Sequence, residues 1–205
     1  IQIPPVTMLR FWTMLAHYHG QTWNGAEVAR ALGVSEVTVR RYLDILEGVF
    51  MLRVLQPWYA NVKKRQVKSP KIYFRDSGLL HHLLGIRLEN ELYTHPKIGA
   101  SWEGYAVEEV IKAIAPDQVY FWATHSGAEL DLLVVKDGRR IGVECKRVDA
   151  PRLNASMHTA FNELELEKML VIYPGTRAYQ LDNKMLAVPL SSLAEEPGTL
   201  LGRLV

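Results

Sequence analysis

The chain has 205 residues, 48% hydrophobic and 22% charged, which is long enough for one large domain or two small ones and too apolar for wholesale disorder. No apolar run approaches the roughly 20 residues of a membrane span, and the start, IQIPPVTMLRFW, lacks the basic region and long apolar stretch of a signal peptide. The net charge of +2 conceals an asymmetry: residues 1–80 hold 11 Lys and Arg against 5 Asp and Glu, whereas residues 81–205 hold 13 against 17. A basic half followed by an acidic half points to two modules with different partners. One cysteine, Cys145, excludes an internal disulfide and a cysteine-rich zinc site, and implies a reducing, cytoplasmic setting. The first residue is Ile1, as expected of a fragment of a longer protein.

In chain order, Met8 to His17 reads as a helix closed by Gly20. Asn24 is placed to cap a second helix, with Glu27 three residues on, and that helix runs through Val28, Ala29 and Leu32 to Gly33. Ser35 is placed to cap a third, with Val39, Leu43 and Leu46 facing inward at spacings of four and three. This is a helix-turn-helix pattern. Thr38, Arg40 and Arg41 lie on the outer face of the third helix, where its first turns would enter a major groove. The runs FMLRVLQPW and KIYFRD then read as strands around a loop. That loop carries Lys63, Lys64, Arg65, Lys68 and Lys71, the expected basic tip of a winged helix that contacts DNA phosphates. Docking on an acidic protein surface is the competing use of the same charges. Trp58 and Tyr59, beside the loop, are candidates to stack on bases, or else to pack in a core.

The stretch GIRLENELYTHPKIG has few periodic apolar residues and marks a boundary. It separates a winged helix over 1–86 from a second domain over 97–205. Glu103 then opens a helix with Ala106, Val107, Val110, Ile111 and Ile114 on its apolar stripe. Short strand-like runs follow: QVYFWAT, AELDLLVV, RIGVECK and MLVIYP. Between the second and third, Asp137-Gly138 is a strong hairpin signal. With these two residues at the turn's centre, Lys136 pairs with Arg139, Asp131 lies opposite Glu144, and Glu129 lies opposite Lys146. Strict alternation puts Leu130, Leu132, Val134, Ile141, Val143 and Cys145 on one face. Glu129, Asp131, Leu133, Gly142, Glu144 and Lys146 fall on the other. Two carboxylates about 5 Å apart at an effective dielectric near 20 repel by roughly 3 kcal/mol, so the pattern calls for a cation. Lys146 is one candidate. A divalent metal, Mg2+ or Mn2+, is the other, because both favour oxygen ligands and keep several waters. Such a metal polarises a phosphodiester and activates water, with Lys146 orienting that water or steadying developing charge. Glu103 is a further candidate ligand, or an acid that steadies its helix N-terminus.

Helix with Glu103, strand, strand with Asp131, strand with Glu144-Cys145-Lys146, helix and strand resemble the αβββαβ core of the PD-(D/E)XK nuclease superfamily. The whole chain is similar to the C-terminal region of bacterial and archaeal predicted AAA+-type ATPases that end in a domain of unknown function. The similarity rests on LRFWTMLAHYHGQTWN, VRRYLDILEGVFMLRVLQPWYANVKKRQVKSPKIYFRDSGLLHHLLGI, HPKIGASWEGYAVEEVI, FWATHSGAELDLLVV and VECKR. It implies a winged helix followed by a nuclease-like domain, α/β in class and α+β overall, with an ATPase domain on the N-terminal side as partner. This chain has no G-x-x-x-x-G-K-[ST], so it holds no P-loop site for ATP.

The expected activity is a metal-dependent nuclease with Asp131, Glu144, Lys146 and Glu103 at its site. The alternative is a non-catalytic module that binds DNA or protein and regulates an attached ATPase. A plain winged-helix regulator is a third reading. Among rival residues, His17 and His19 face different sides of one helix. His81 and His82 are adjacent, face different sides, and read as structural or surface residues. His125 precedes the acidic strand. Cys145 lies on the apolar face and reads as a buried, inert thiol.

Overall fold

The computed structural model describes residues 3–59 and 67–195. The chain forms two compact units, Ile1–Leu55 with Ser69–Tyr105, and Gln56–Lys68 with Ala106–Val205. Mixed helices and sheets in both make the protein α+β overall.

The first unit runs α1 (Pro5–Tyr18), β1 (Gln21–Thr22), α2 (Gly25–Leu32), α3 (Glu36–Gly48), β2 (Leu52–Leu55), β3 (Lys71–Phe74), α4 (Ser77–Leu83) and α5 (Glu89–Thr94). Its three strands are antiparallel in the order β1-β3-β2, the winged-helix arrangement. Local chemistry sets the helix starts. Asn24 Oδ1 accepts the Glu27 N–H at 3.3 Å, and Ser35 Oγ accepts the Thr38 N–H at 3.2 Å. The inward stripe Val39, Leu43 and Leu46 is buried with Phe11, Leu15, Val28, Leu52 and Ile72. The boundary stretch holds a short helix, α5, that buries no residue. Periodicity could not reveal it, because Glu91 holds it by accepting the Leu88 N–H at 3.0 Å.

His19 closes the core of this unit. Its Nδ1 accepts the Phe74 N–H at 3.0 Å, and its Nε2–H donates to the Ala100 carbonyl at 3.1 Å. A Cβ on Gly104 would stand 2.4 Å from His19 Nε2, so only glycine leaves the ring its place. Burial pushes the imidazole pKa down to about 4, against the smaller opposing effect of the Ala100 hydrogen bond.

The second unit contains most of α6 (Ile98–Ile114), then β4 (Gln118–Ala123), β5 (Glu129–Lys136), β6 (Arg139–Cys145), α7 (Ala155–Glu163), β7 (Lys168–Tyr173), β8 (Tyr179–Asp182), β9 (Met185–Pro189) and α8 (Ser192–Glu195). The sheet order is β4-β5-β6-β7-β9-β8. β4, β5 and β6 form an antiparallel meander, β6, β7 and β9 are parallel, and β8 is antiparallel to β9. From α6 to β7 this is the αβββαβ order of the nuclease-like core, extended by the β8–β9 pair. Asp137 and Gly138 both have positive φ, 50° and 75°, the type I′ turn that fixes the expected register.

The wing differs from the expected free hairpin. β2 and β3 have four residues each, and the Gln56–Lys68 arm between them belongs to the second unit. The Phe121 N–H donates to the Gln56 carbonyl, the Trp58 N–H to the Phe121 carbonyl and the Val67 N–H to the Ala123 carbonyl, at 2.7 to 3.1 Å. The cause is the edge of the six-stranded sheet. β4 would otherwise present unpaired backbone groups, and the arm covers them. Lys63, Lys64 and Arg65 lie outside the described residues.

The His19 pKa sets a pH dependence with a definite sign. The unfolded chain takes up a proton near pH 6.5 while the folded chain does so only near 4. Stability is therefore level above about pH 6.5 and falls as pH drops toward 4, by about 3 kcal/mol for this residue. Urea midpoints measured from about pH 7 to about pH 4.5 should show that slope, and His19→Gln should lose this part of it.

Candidate functional site

The hairpin register holds from Lys136↔Arg139 through Leu132↔Val143, and the regular ladder ends there. On its other side, β5 pairs Leu133 with Tyr120 but Leu130 with Trp122. Asp131 and Leu132 thus stand opposite Phe121 alone, which is a β-bulge. The bulge corrects the expected division of faces. Leu130 and Leu133 join one buried cluster with Trp122, Met157, Ala160, Leu164 and Met169, although strict alternation separates them. Leu132 and Val134 are buried too, so no face of β5 is simply polar.

Asp131 and Glu144 are both buried, at 8% and 5% exposure. Asp131 Oδ2 accepts the Cys145 N–H at 2.8 Å, so the side chain reaches across to the backbone of β6 at the point where the regular ladder stops. Glu144 Oε1 takes the Lys146 ammonium at 2.6 Å. Lys146, two residues along the same strand direction, is one of the two candidate cations for the crowded carboxylates, and it pairs with Glu144. Its side chain is 35% exposed, so the ion pair opens toward solvent. Cys145 is a buried free thiol, packed as expected.

Ser156 belongs to this corner and carried no signal in the sequence. Its Oγ accepts the Glu129 N–H at 2.9 Å and donates to the Glu129 carbonyl at 3.0 Å. One hydroxyl in the first turn of α7 therefore holds both backbone groups of Glu129. The nearest signal was Asn154, whose Oδ1 caps α7 by accepting the Met157 N–H at 2.9 Å.

Glu103 lies in the first unit, in the N-terminal part of α6, and finds its partners there. The Tyr73 hydroxyl donates to its Oε1 at 2.6 Å, and the Lys71 ammonium lies 3.4 Å from the same atom. Lys71 is 5% exposed and sits in β3, inside the first unit rather than on the loop surface. Glu108, 4% exposed in the second-unit half of α6, is a buried acid that the apolar stripe beside it concealed. Among the described residues no three His, Cys, Asp or Glu gather closely enough to hold a metal ion.

On the first unit's surface Arg40 and Arg41 are exposed, while Thr38 is half-buried with its hydroxyl 2.9 Å from that of Ser35. Lys68 is exposed, and its carbonyl accepts the Tyr59 hydroxyl at 3.3 Å. Trp58 packs edge-on against Tyr120, with ring centres 4.9 Å apart. His81 Nε2 lies 2.7 Å from Ser101 Oγ, His17 gives only its carbonyl to Lys97, and His125 is exposed.

Two families match, one for each half of the chain. Residues 1–90 match a domain of unknown function (DUF8612), and residues 98–193 match another domain of unknown function (DUF4143). The chain is 48% identical over 193 residues to Uncharacterized protein Rv2008c of Mycobacterium tuberculosis and equally to Uncharacterized protein Mb2031c of Mycobacterium bovis. That alignment takes in 94% of this chain and 44% of each relative, so the chain spans less than half their length. A solved structure, protein VC1899 from Vibrio cholerae, aligns over 99% of this chain and 58% of its own at 9% identity. Its TM-score is 0.34, too low to carry weight.

Removing the Ser156 hydroxyl leaves the Glu129 N–H and carbonyl without this partner. Ser156→Ala should lower stability by about 1–3 kcal/mol, read as a shift of the urea midpoint, while Ser156→Thr should recover most of the loss.

Proposed function

We propose that the second unit carries a divalent-metal-dependent phosphodiester hydrolase site that acts on DNA, with Asp131 and Glu144 as the metal ligands. The observation behind this reading is the pair of buried carboxylates on neighbouring strands at a bulge, with a lysine beside them. The donor set suits Mg2+ or Mn2+, which favour hard oxygens: two carboxylates would hold the ion, beside a lysine whose side chain is 35% exposed. A bound metal would polarise the phosphate and lower the pKa of its water. The chain's own residues do the rest. The Cys145 N–H fixes the direction of the Asp131 carboxylate. Lys146, on its solvent-facing stem, orients water or offsets charge that develops on the phosphate. Glu103 is engaged with Tyr73 and Lys71, and this reading leaves it out of the ligand set.

The first unit supplies DNA contacts through Thr38, Arg40 and Arg41 on α3, and Lys68, with Lys63, Lys64 and Arg65 shortly before it in the sequence, supplies further ones from the second unit. The buried free Cys145 fits a reducing compartment, the cytoplasm, and among the described residues no helix is long and apolar enough to cross a membrane. An ATPase domain as partner rests on the sequence resemblance and on relatives more than twice as long as the matched stretch.

One observation favours a second reading, a non-catalytic binding and regulatory module. Lys146 already neutralises Glu144 at 2.6 Å, and Asp131 has the Cys145 N–H, so each acid has a partner without metal.

Manganese calorimetry separates the two. On the hydrolase reading wild type binds Mn2+, Asp131→Asn loses that binding and all cleavage while it still binds DNA, and Lys146→Met binds Mn2+ at least as tightly because the competing ammonium is gone. Absence of binding by wild type at millimolar Mn2+ would leave the regulatory module as the reading.

A further inference from the structure

The two ends of the second unit's sheet treat their arginines differently. At the end where β6 and β7 begin, Arg140 Nη2 pairs with Glu165 at 2.6 Å and Arg139 Nε with Glu167 at 3.7 Å. At the end where those parallel strands finish, Arg147, Arg152 and Arg177 are exposed, and among the described residues no acid pairs with their guanidinium groups. They come from two loops, 146–154 and 174–178. The second loop has no acid and the first has one, Asp149.

These loops are tied to each other and to the sheet. The Tyr179 hydroxyl donates to the Pro151 carbonyl at 3.2 Å, and the Tyr173 hydroxyl donates to the Arg177 carbonyl. Tyr173 and Tyr179 meet edge to face with ring centres 5.8 Å apart, so the tyrosines that carry both loops are themselves packed. Loop 146–154 starts at Lys146, the next residue after β6 and the partner of Glu144.

We infer that Arg147, Arg152 and Arg177 form a phosphate-binding rim on the second unit that grips a nucleic-acid backbone beside the Asp131–Glu144 pair, independently of the winged helix. The inference rests on the hydrolase reading for its substrate class and adds the surface that holds the substrate. Arginine suits the role because its guanidinium stays charged and meets phosphate oxygens through two parallel N–H bonds. The paired arginines at the far end have spent that capacity on Glu165 and Glu167. Both cation sets lie on one unit and differ in whether they are paired, which makes the far end a control of matching charge.

The test uses the whole 205-residue chain without metal, so binding is read apart from catalysis. Fluorescence anisotropy with a short labelled DNA duplex, and separately with a single strand, is followed from about 50 to about 200 mM salt. Arg147→Ala with Arg177→Ala should make the slope of log affinity against log salt shallower by about 1.8 on duplex and about 1.4 on the single strand, the loss of two phosphate contacts. Arg139→Ala with Arg140→Ala removes the same charge from the far end and should leave the slope unchanged. Equal effects of the two double variants would reduce the rim to net charge and overturn it. An unchanged slope in the Arg147/Arg177 variant, with wild type binding normally, would overturn the rim alone. Failure of wild type to bind either oligonucleotide would overturn the DNA reading and the rim with it.

Discussion

A carboxylate is buried in a sheet only where donors or cations take up its charge, and Asp131 takes its donor from the backbone of Cys145. That hydrogen bond stands where the regular β5–β6 ladder ends. The bulge opposite Phe121 shifts β5 by one residue against β4, and Ser156 takes up the backbone groups of Glu129 beyond it. A regular ladder continued past Leu132 and Val143 would set Asp131 and Glu144 face to face as two like charges. Instead the first is turned to a backbone N–H and the second to Lys146. The corner therefore gives its two buried acids two different kinds of partner, a backbone N–H and an ammonium. This is the local economy that lets the sheet carry acids at all, and it leaves the pair close to a partly exposed lysine.

The same logic of exposed backbone explains the arm. An edge strand such as β4 is a template for pairing, and the chain supplies its own cover in Gln56, Pro57, Trp58 and Val67. A winged helix with a free wing would need those residues elsewhere. Here the wing's stem is short, at four residues a strand, because its continuation serves the second unit. Trp58 then becomes a packing residue against Tyr120, and Lys71 becomes an internal cation for Glu103. Two residue types that suggest nucleic acid in a linear reading thus have structural work. Arg40 and Arg41 on α3 remain exposed.

The sequence made the regular parts legible. Asn24 and Ser35 cap the helices expected of them, Val39, Leu43 and Leu46 face inward, and Asp137-Gly138 sets the β5–β6 register. Each of these depends on residues near one another in the chain. What was not legible depends on distant partners. Period-two alternation cannot foresee a bulge, because the extra residue is defined by β4 rather than by β5 itself. Ser156 is an ordinary helix-start serine until Glu129 is beside it. Glu103 reads as a metal ligand from its motif, yet Tyr73 and Lys71, some thirty residues earlier, claim its carboxylate. His17 and His19 read as different sides of one helix, whereas His19 caps the end of α1 and is a core histidine, because its two nitrogens find Phe74 and Ala100.

Charge placement bears on the choice between a catalytic and a purely structural corner. A structural corner has no need of unpaired cations around it, since exposed arginines add little to stability and repel one another. The far end of the sheet shows what a structural solution looks like, with Arg139 and Arg140 each assigned an acid. At the acidic corner Lys146 is committed to Glu144, while Arg147, Arg152 and Arg177 stand exposed on two loops that tyrosines hold in place. A ligand with several negative charges in a row resolves that imbalance, and a phosphodiester backbone has them at a regular spacing. On the proposed hydrolase reading, the same ligand would bring its scissile group to the two carboxylates. The distribution of paired and unpaired arginines is therefore what a polyanionic ligand at this end of the sheet would require, and the hydrolase reading names such a ligand.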